Sequence, residues 1–369
     1  MRNLLTTALT LLCSIAMGQT AIHTYTPGVT TEGAAYYLPK TAINISITTE
    51  KTAYTPGELC QYADRYLRIT GISDKADSYH TIQSVTLSTE GLPDETKLYH
   101  ILFAPGTIAP LVTLTGSGIL QGINIPAPAA APQSTPTAAP QGETAKHPLP
   151  PRSYMTEEML MTGSKAKLAE LVAKEIYNIR ESKSLIMRGQ SEHMPKEAEA
   201  LRLILAGLEE QEAALTTLFT GTTTTETSTQ TYQVIPTGSA ERIILGRFSR
   251  KLGLLHGDDL AGAPLYIDIK GLNTVPAPPA EPLIEDTKKS GKSKKKKDEN
   301  LQDGLVYNIP GRAEVSVYTN TQILAEEAFS LAQFGNTETL SSDLLTRKKG
   351  KDTKVLLDPA TGALLRVEE

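Results

Sequence analysis

Apolar and polar residues alternate across residues 42–48, where Ile43, Ile45 and Ile47 stand between Asn44, Ser46 and Thr48. A period of two puts one set of side chains on each face of an extended chain, so the segment predicts a half-buried β-strand. Residues 81–88 follow the same pattern, and residues 97–103 and 110–115 are further strand candidates. Turn signals separate them at Thr55-Pro56-Gly57, Gly91-Leu92-Pro93-Asp94 and Ala104-Pro105-Gly106.

The period then changes. Leu168, Leu171, Val172, Ile176 and Ile179 fall at spacings of three and four, the stripe of an amphipathic helix. The pattern breaks around Gly189. Pro195 suits the first turn of a new helix, and Leu201, Ile204, Leu205, Leu208, Leu215 and Phe219 make its stripe. A short connection predicts two antiparallel neighbours, with Glu209, Glu210 and Glu212 read as a solvated face. Residues 222–231 are threonine-rich and favour extended chain. Strand patterns return at residues 242–246, 265–270, 305–309 and 313–318, the last two flanking a Pro310-Gly311 turn. A hairpin closes the chain across Asp358-Pro359-Ala360-Thr361-Gly362.

Two segments fit neither period. Residues 126–152 are too rich in proline for helix or central strand and read as an Ala/Pro linker. Residues at about 275–303 read as a disordered insertion, first proline-rich and then dense in lysine from Lys288 to Lys297. That basic run is a solvated loop or an anion-binding segment, lipid headgroups being the plausible anions. The expected fold is therefore α+β: two β-rich, sandwich-like domains, residues 19–125 and 222–369, separated by a long antiparallel helical hairpin at residues 153–221.

Residues 1–18 read as a secretory signal peptide. Arg2 gives the positive start, residues 4–15 the apolar stretch, and Ala16-Met17-Gly18 the small residues of a cleavage site. The expected mature chain starts at Gln19, carries no membrane span, and resides in the periplasm, in the envelope or outside the cell. The formal charge of −5 falls to about −6 on losing Arg2, so the overall field is not that of a nucleic-acid binder. With 14 Tyr, 5 Phe and no Trp, the cores rest on aliphatic residues, with tyrosine at half-buried edges. Of 2 Cys, Cys13 leaves with the signal, so Cys60 has no intramolecular disulfide partner. It reads as a small buried apolar side chain or as a reactive thiol.

Signatures of common chemistries are missing. The sequence contains no G-x-S-x-G, no phosphate-binding glycine loop in a strand-to-helix context and no calcium loop. The six histidines are scattered, and no cofactor is expected. One short cluster, His256-Gly257-Asp258-Asp259, is a candidate metal or acid–base site. Gly257 would let a tight turn bring His256 to Asp259, and an ordinary Asx-type turn is the competing reading. A second candidate is Tyr62, Arg65 and Tyr66. On a helical turn the tyrosines share a face beside the arginine, an amphipathic patch suited to a partner. Alternatively, the tyrosines cap the β-core and Arg65 satisfies a carboxylate.

Four stretches carry a resemblance. They are residues 37–41 (YLPKT), 56–67 (PGELCQYADRYL), 175–181 (EIYNIRE) and 358–364 (DPATGAL). Together they resemble a family of exported proteins from gut-dwelling Gram-negative bacteria, a domain of unknown function. The resemblance implies export and the same β–helical hairpin–β order, and it supplies no activity or catalytic residue. The expected function is binding or scaffolding in the cell envelope, with an envelope protein or a glycan as partner. A periplasmic hydrolase acting on polysaccharide or peptide is the alternative, and it requires a pocket with two carboxylates or with His256 beside Asp258 or Asp259.

Overall fold

The computed structural model describes residues 21–24, 33–102, 111–126, 149–190, 197–275, 301–302, 304–341 and 353–368. The signal segment 1–18, residues 127–148 of the linker and the lysine run lie outside the described residues.

The chain begins with β1 (Ala21–Thr24) and β2 (Gly33–Thr55), then a 3-10 turn at Cys60–Tyr62, α1 (Ala63–Leu67) and β3 (Asp77–Leu102). Two short strands follow, β4 (Val112–Leu114) and β5 (Leu120–Ile123). The helical part holds α2 (Glu157–Leu160), α3 (Lys165–Met187) and α4 (Ala198–Thr220). The remainder is β6 (Thr222–Val234), β7 (Ala240–Ser249), β8 (Gly253–Leu255), β9 (Ala263–Gly271), β10 (Leu301–Gln302), β11 (Gly304–Tyr318), β12 (Ile323–Ser341), β13 (Lys354–Leu357) and β14 (Leu364–Glu368). The protein is mostly β, in three antiparallel sheets ordered β10-β1-β3-β2-β6, β12-β11-β9-β7-β8 and β14-β13-β5-β4.

The sheet orders correct the expectation of two separate β domains. The first sheet joins β1, β2 and β3 to β6 and β10, and the third joins β4 and β5 to β13 and β14. Strands from both ends of the chain therefore share sheets. Ile43, Ile45 and Ile47 of β2 pack on Leu265, Ile267 and Ile269 of β9 and on Ala313, Val315 and Val317 of β11, the aliphatic filling of a two-sheet sandwich. A second cluster sits under the third sheet, where Tyr36, Leu38, Ile101, Leu305 and Val306 meet Leu120, Ile123, Val355 and Leu357. The Tyr36 hydroxyl, fully buried, donates to Val306 O and accepts from Val306 N–H, both at 3.2 Å.

Two expected turns are strand interior instead. Pro310-Gly311 lies within β11, and Gly91-Leu92-Pro93-Asp94 lies within β3. Pro310 falls in a register irregularity and Pro93 borders one, where a missing N–H is tolerated.

Helices α3 and α4, each of 23 residues, bury a third cluster. Val172, Ile176 and Ile179 meet Leu215, Leu218 and Phe219, together with Leu59, Ala63 and Leu67. Of the stripe expected for α4, Leu208, Leu215 and Phe219 join this cluster, while Ile204 stays exposed. Glu212 departs from the solvated face expected of it. Its carboxylate accepts from Arg180 Nε at 2.6 Å and from Lys183 Nζ at 3.1 Å. Burial pulls its pKa up, the hydrogen bonds from Arg180 and Lys183 pull it down further, and the net shift is downward. A depressed carboxyl contributes stability that is present above the unfolded value near 4.3 and is lost as pH falls through the folded value. Glu212→Gln is thus expected to lower stability at pH 7 by about 1–2 kcal/mol. The gap to wild type should narrow as pH falls below the unfolded value and through the lower folded one, as read from urea unfolding across that range.

Candidate functional site

Tyr62 ends the 3-10 turn and Tyr66 sits four residues on, in α1. Their ring centroids lie 6.3 Å apart, and the Arg65 guanidinium stands 5.4 Å from the Tyr66 ring centre. Sequence spacing brought these three together correctly, but the surface they border is different. Tyr62 and Tyr66 pack on the helical cluster rather than capping the β-core, because Leu59, Ala63 and Leu67 turn into α3 and α4. Helix α3 contributes what the spacing did not show. The Tyr177 hydroxyl donates to Tyr66 O at 2.9 Å, and Arg180 lies 5.6 Å from the Tyr177 ring centre. Ile176 and Ile179 face the core, so helical geometry turns Tyr177 and Arg180 outward. Three tyrosines and two arginines thus share one solvent-facing surface, with cation–π contacts on two rings.

The His256 cluster is a surface turn. His256 Nδ1 lies 3.2 Å from Asp258 Oδ2, and both side chains are almost wholly exposed. Asp259 is directed elsewhere: its Oδ1 accepts from Ala261 N–H at 2.9 Å, while its own N–H donates to His256 O. The turn therefore brings His256 to Asp258 and leaves Asp259 capping the loop. No group of three His, Cys, Asp or Glu able to hold a metal occurs among the described residues. Cys60, a free thiol, is half-buried in the 3-10 turn.

A cavity of about 290 Å³ opens where β2, β3 and β6 extend beyond the sandwich and meet the β7–β8 hairpin. A register shift at Thr48/Thr49 opposite β3 marks this region. Thr49, Lys51, His80, Glu226, Ser228 and Gln230 line the cavity, with Leu252, Gly253 and Leu254 at its side. Lys51 Nζ lies 3.8 Å from the Glu226 carboxylate. His80 donates its backbone N–H to Arg250 O at 2.7 Å, and its buried Nδ1 has no hydrogen-bond partner. The cavity holds one carboxylate, not the pair that the hydrolase reading requires.

The family model of a domain of unknown function, DUF4831, matches residues 32–365. The chain belongs to the DUF4831 family. No curated protein and no solved structure matches it. The match spans all three sheets and the paired helices of this DUF4831 chain.

One further constellation escaped the sequence. The DPATG segment is a docked turn. Asp358 Oδ1 accepts from Ala360 N–H, and its Oδ2 accepts from the Thr361 hydroxyl at 2.6 Å. Gly362 takes φ +74°, and a Cβ there would meet Asn308 Nδ2 at 2.9 Å. Asn308, 1% exposed, donates from Nδ2 to Pro39 O at 3.1 Å and to Thr361 O at 2.8 Å. Nearby, the Thr41 hydroxyl donates to Ala360 O and accepts from Ala332 N–H. These bonds tie β2, β11, β12 and the final hairpin into a buried polar seam between the two β clusters. The sequence marks the DPATG turn itself, but Thr41 and Asn308 are ordinary polar residues of distant strands, so no local signal joins them to it.

Proposed function

We propose that this DUF4831 protein is an exported cell-envelope protein that works by binding, with Tyr62, Arg65, Tyr66, Tyr177 and Arg180 as the docking surface for a partner protein. One observation carries the reading: two segments more than a hundred residues apart converge to set three tyrosines and two arginines side by side, Tyr62 and Tyr66 half-buried and the others exposed. Tyrosine and arginine are the residue types that dominate binding energy at protein interfaces. A rigid core behind them lowers the entropy lost on docking. In this reading α3 and α4 act as a helical hairpin that presents the surface, and residues 1–18 direct export. No helix among the described residues is long and apolar enough to cross a membrane.

The test is a cross-linked pull-down of tagged protein from its own cell envelope, comparing wild type with Arg65→Glu. Arg65 is exposed, so its substitution, which loses the contact with the Tyr66 ring, lowers stability by only about 1 kcal/mol or less. Recovery of a stoichiometric protein partner, reduced about tenfold or more in the variant, is the expected result. Equal recovery by both, or a wild-type protein that comes down alone, would overturn the assignment.

A further inference from the structure

We propose that the cavity beside β6 is a second binding site, independent of the tyrosine–arginine surface, and that it takes a neutral polyol the size of a monosaccharide. Its volume of about 290 Å³ lies just below the range of drug-sized ligand pockets, about 300 to 1,000 Å³, as suits a smaller ligand. The lining is polar: Lys51, Glu226, Ser228 and Gln230 come from neighbouring, solvent-exposed positions on one face of β2 and β6, and His80 from β3. Lysine donates, the carboxylate accepts, and the hydroxyl and amide do both. Vicinal hydroxyls of a sugar, each both donor and acceptor, match such alternating groups. Leu252 at the side, 58% exposed, offers an apolar contact for the C–H face of a ring.

The electrostatics select against simple ions. Lys51 and Glu226 stand 3.8 Å apart and cancel, so neither an anion nor a cation meets a net field of opposite sign. The pair is largely exposed, at 45% and 76% of its side-chain surface, and exposed pairs contribute little to folding. Its groups are therefore free to turn to a ligand without loss of the fold. A purely apolar molecule would leave these donors and acceptors unpaired.

The test titrates the full chain with neutral aldohexoses and N-acetylhexosamines, and in parallel with alanine and glutamine as zwitterions, read by saturation-transfer NMR and calorimetry. Saturable saccharide binding with a Kd on the order of 1 mM is expected, as befits a ligand of about a dozen heavy atoms. Glu226→Gln and Lys51→Met should each weaken it about tenfold, the loss of one charge-assisted hydrogen bond. Ser228→Phe, which fills the cavity from an exposed edge strand, should abolish it while the unfolding midpoint stays within a few degrees. Three outcomes would overturn the proposal: no saccharide binding at tens of millimolar, binding of the amino acids alone, or saccharide binding that none of the three variants changes.

Discussion

Asn308→Asp is expected to destabilise the protein by about 3–5 kcal/mol at pH 7, the cost of an uncompensated buried charge. The Asn308 amide nitrogen supplies two protons, one to Pro39 O and one to Thr361 O. A carboxylate of the same shape has none to give, and it would point negative charge at two carbonyl oxygens in a site 1% exposed. Asn308→Leu, which leaves both carbonyls unpaired but adds no charge, should cost about 2–3 kcal/mol. The two variants separate in their pH dependence. Burial and the facing carbonyls would hold the new aspartyl pKa above its unfolded value of about 3.9. A raised pKa contributes stability that is complete below the unfolded value and is lost as pH rises through the folded one. The aspartate variant should therefore recover towards the leucine variant between pH 7 and pH 4, measured by urea unfolding. Parallel curves for the two variants would show that Asn308 does not act as a double donor.

That seam marks how far the sequence was legible. Local periodicity found what local geometry causes. The alternating isoleucines of β2 face the sandwich core, and the α3 stripe through Val172, Ile176 and Ile179 is buried along its length. Spacing also paired Tyr62 with Tyr66, since four residues along a helix is a short-range relation. Whatever depends on distant segments was hidden. Tyr177 reads as one more outward residue of α3 until the backbone of Tyr66 arrives to accept its hydroxyl. Likewise, Glu212 reads as a solvated acid until α3 brings Arg180 and Lys183 against it. The sheets were the largest omission. Residues 42–48 predict a strand equally well whether their neighbour is β3 or the distant β6, and both are its neighbours. Pro310-Gly311 misled for a related reason. It is a turn signal by composition, but its chain stays extended because β12 carries the irregularity opposite it.

The same irregularity sets the second large expectation. Between Ile309 and Gly311 the β11 strand advances two residues while β12 moves five, from Asn336 to Leu331, so that Ala332, Gln333, Phe334 and Gly335 stand opposite Pro310 alone. A bulge re-aims side chains that a regular ladder would hold in plane. Here it carries Gln333 to β2, where Oε1 accepts from Thr41 N–H at 3.0 Å and Nε2 donates to Thr41 O at 2.9 Å. A side-chain amide thus satisfies a buried backbone unit as a neighbouring strand would. Phe334 packs against the sandwich cluster from the same excursion. This path works only if the chain passes close to β11 at Gly335. A Cβ at that position would lie 1.7 Å from Ile309 O and 2.7 Å from Gly311 N, both backbone atoms with no rotamer to escape into. Gly335→Ala must therefore push β12 off β11, loosening Gln333 from Thr41 and Phe334 from its cluster together. The expected loss is about 3 kcal/mol or more, at the upper end of overpacking costs because backbone has to move. Gln333→Ala, which removes only the two bonds to Thr41, should cost about 1–3 kcal/mol. If the bulge exists to deliver Gln333, the double variant should be less destabilised than the sum of the two single variants in a denaturation cycle. Strict additivity would mean that Gly335 protects the β11–β12 pairing alone.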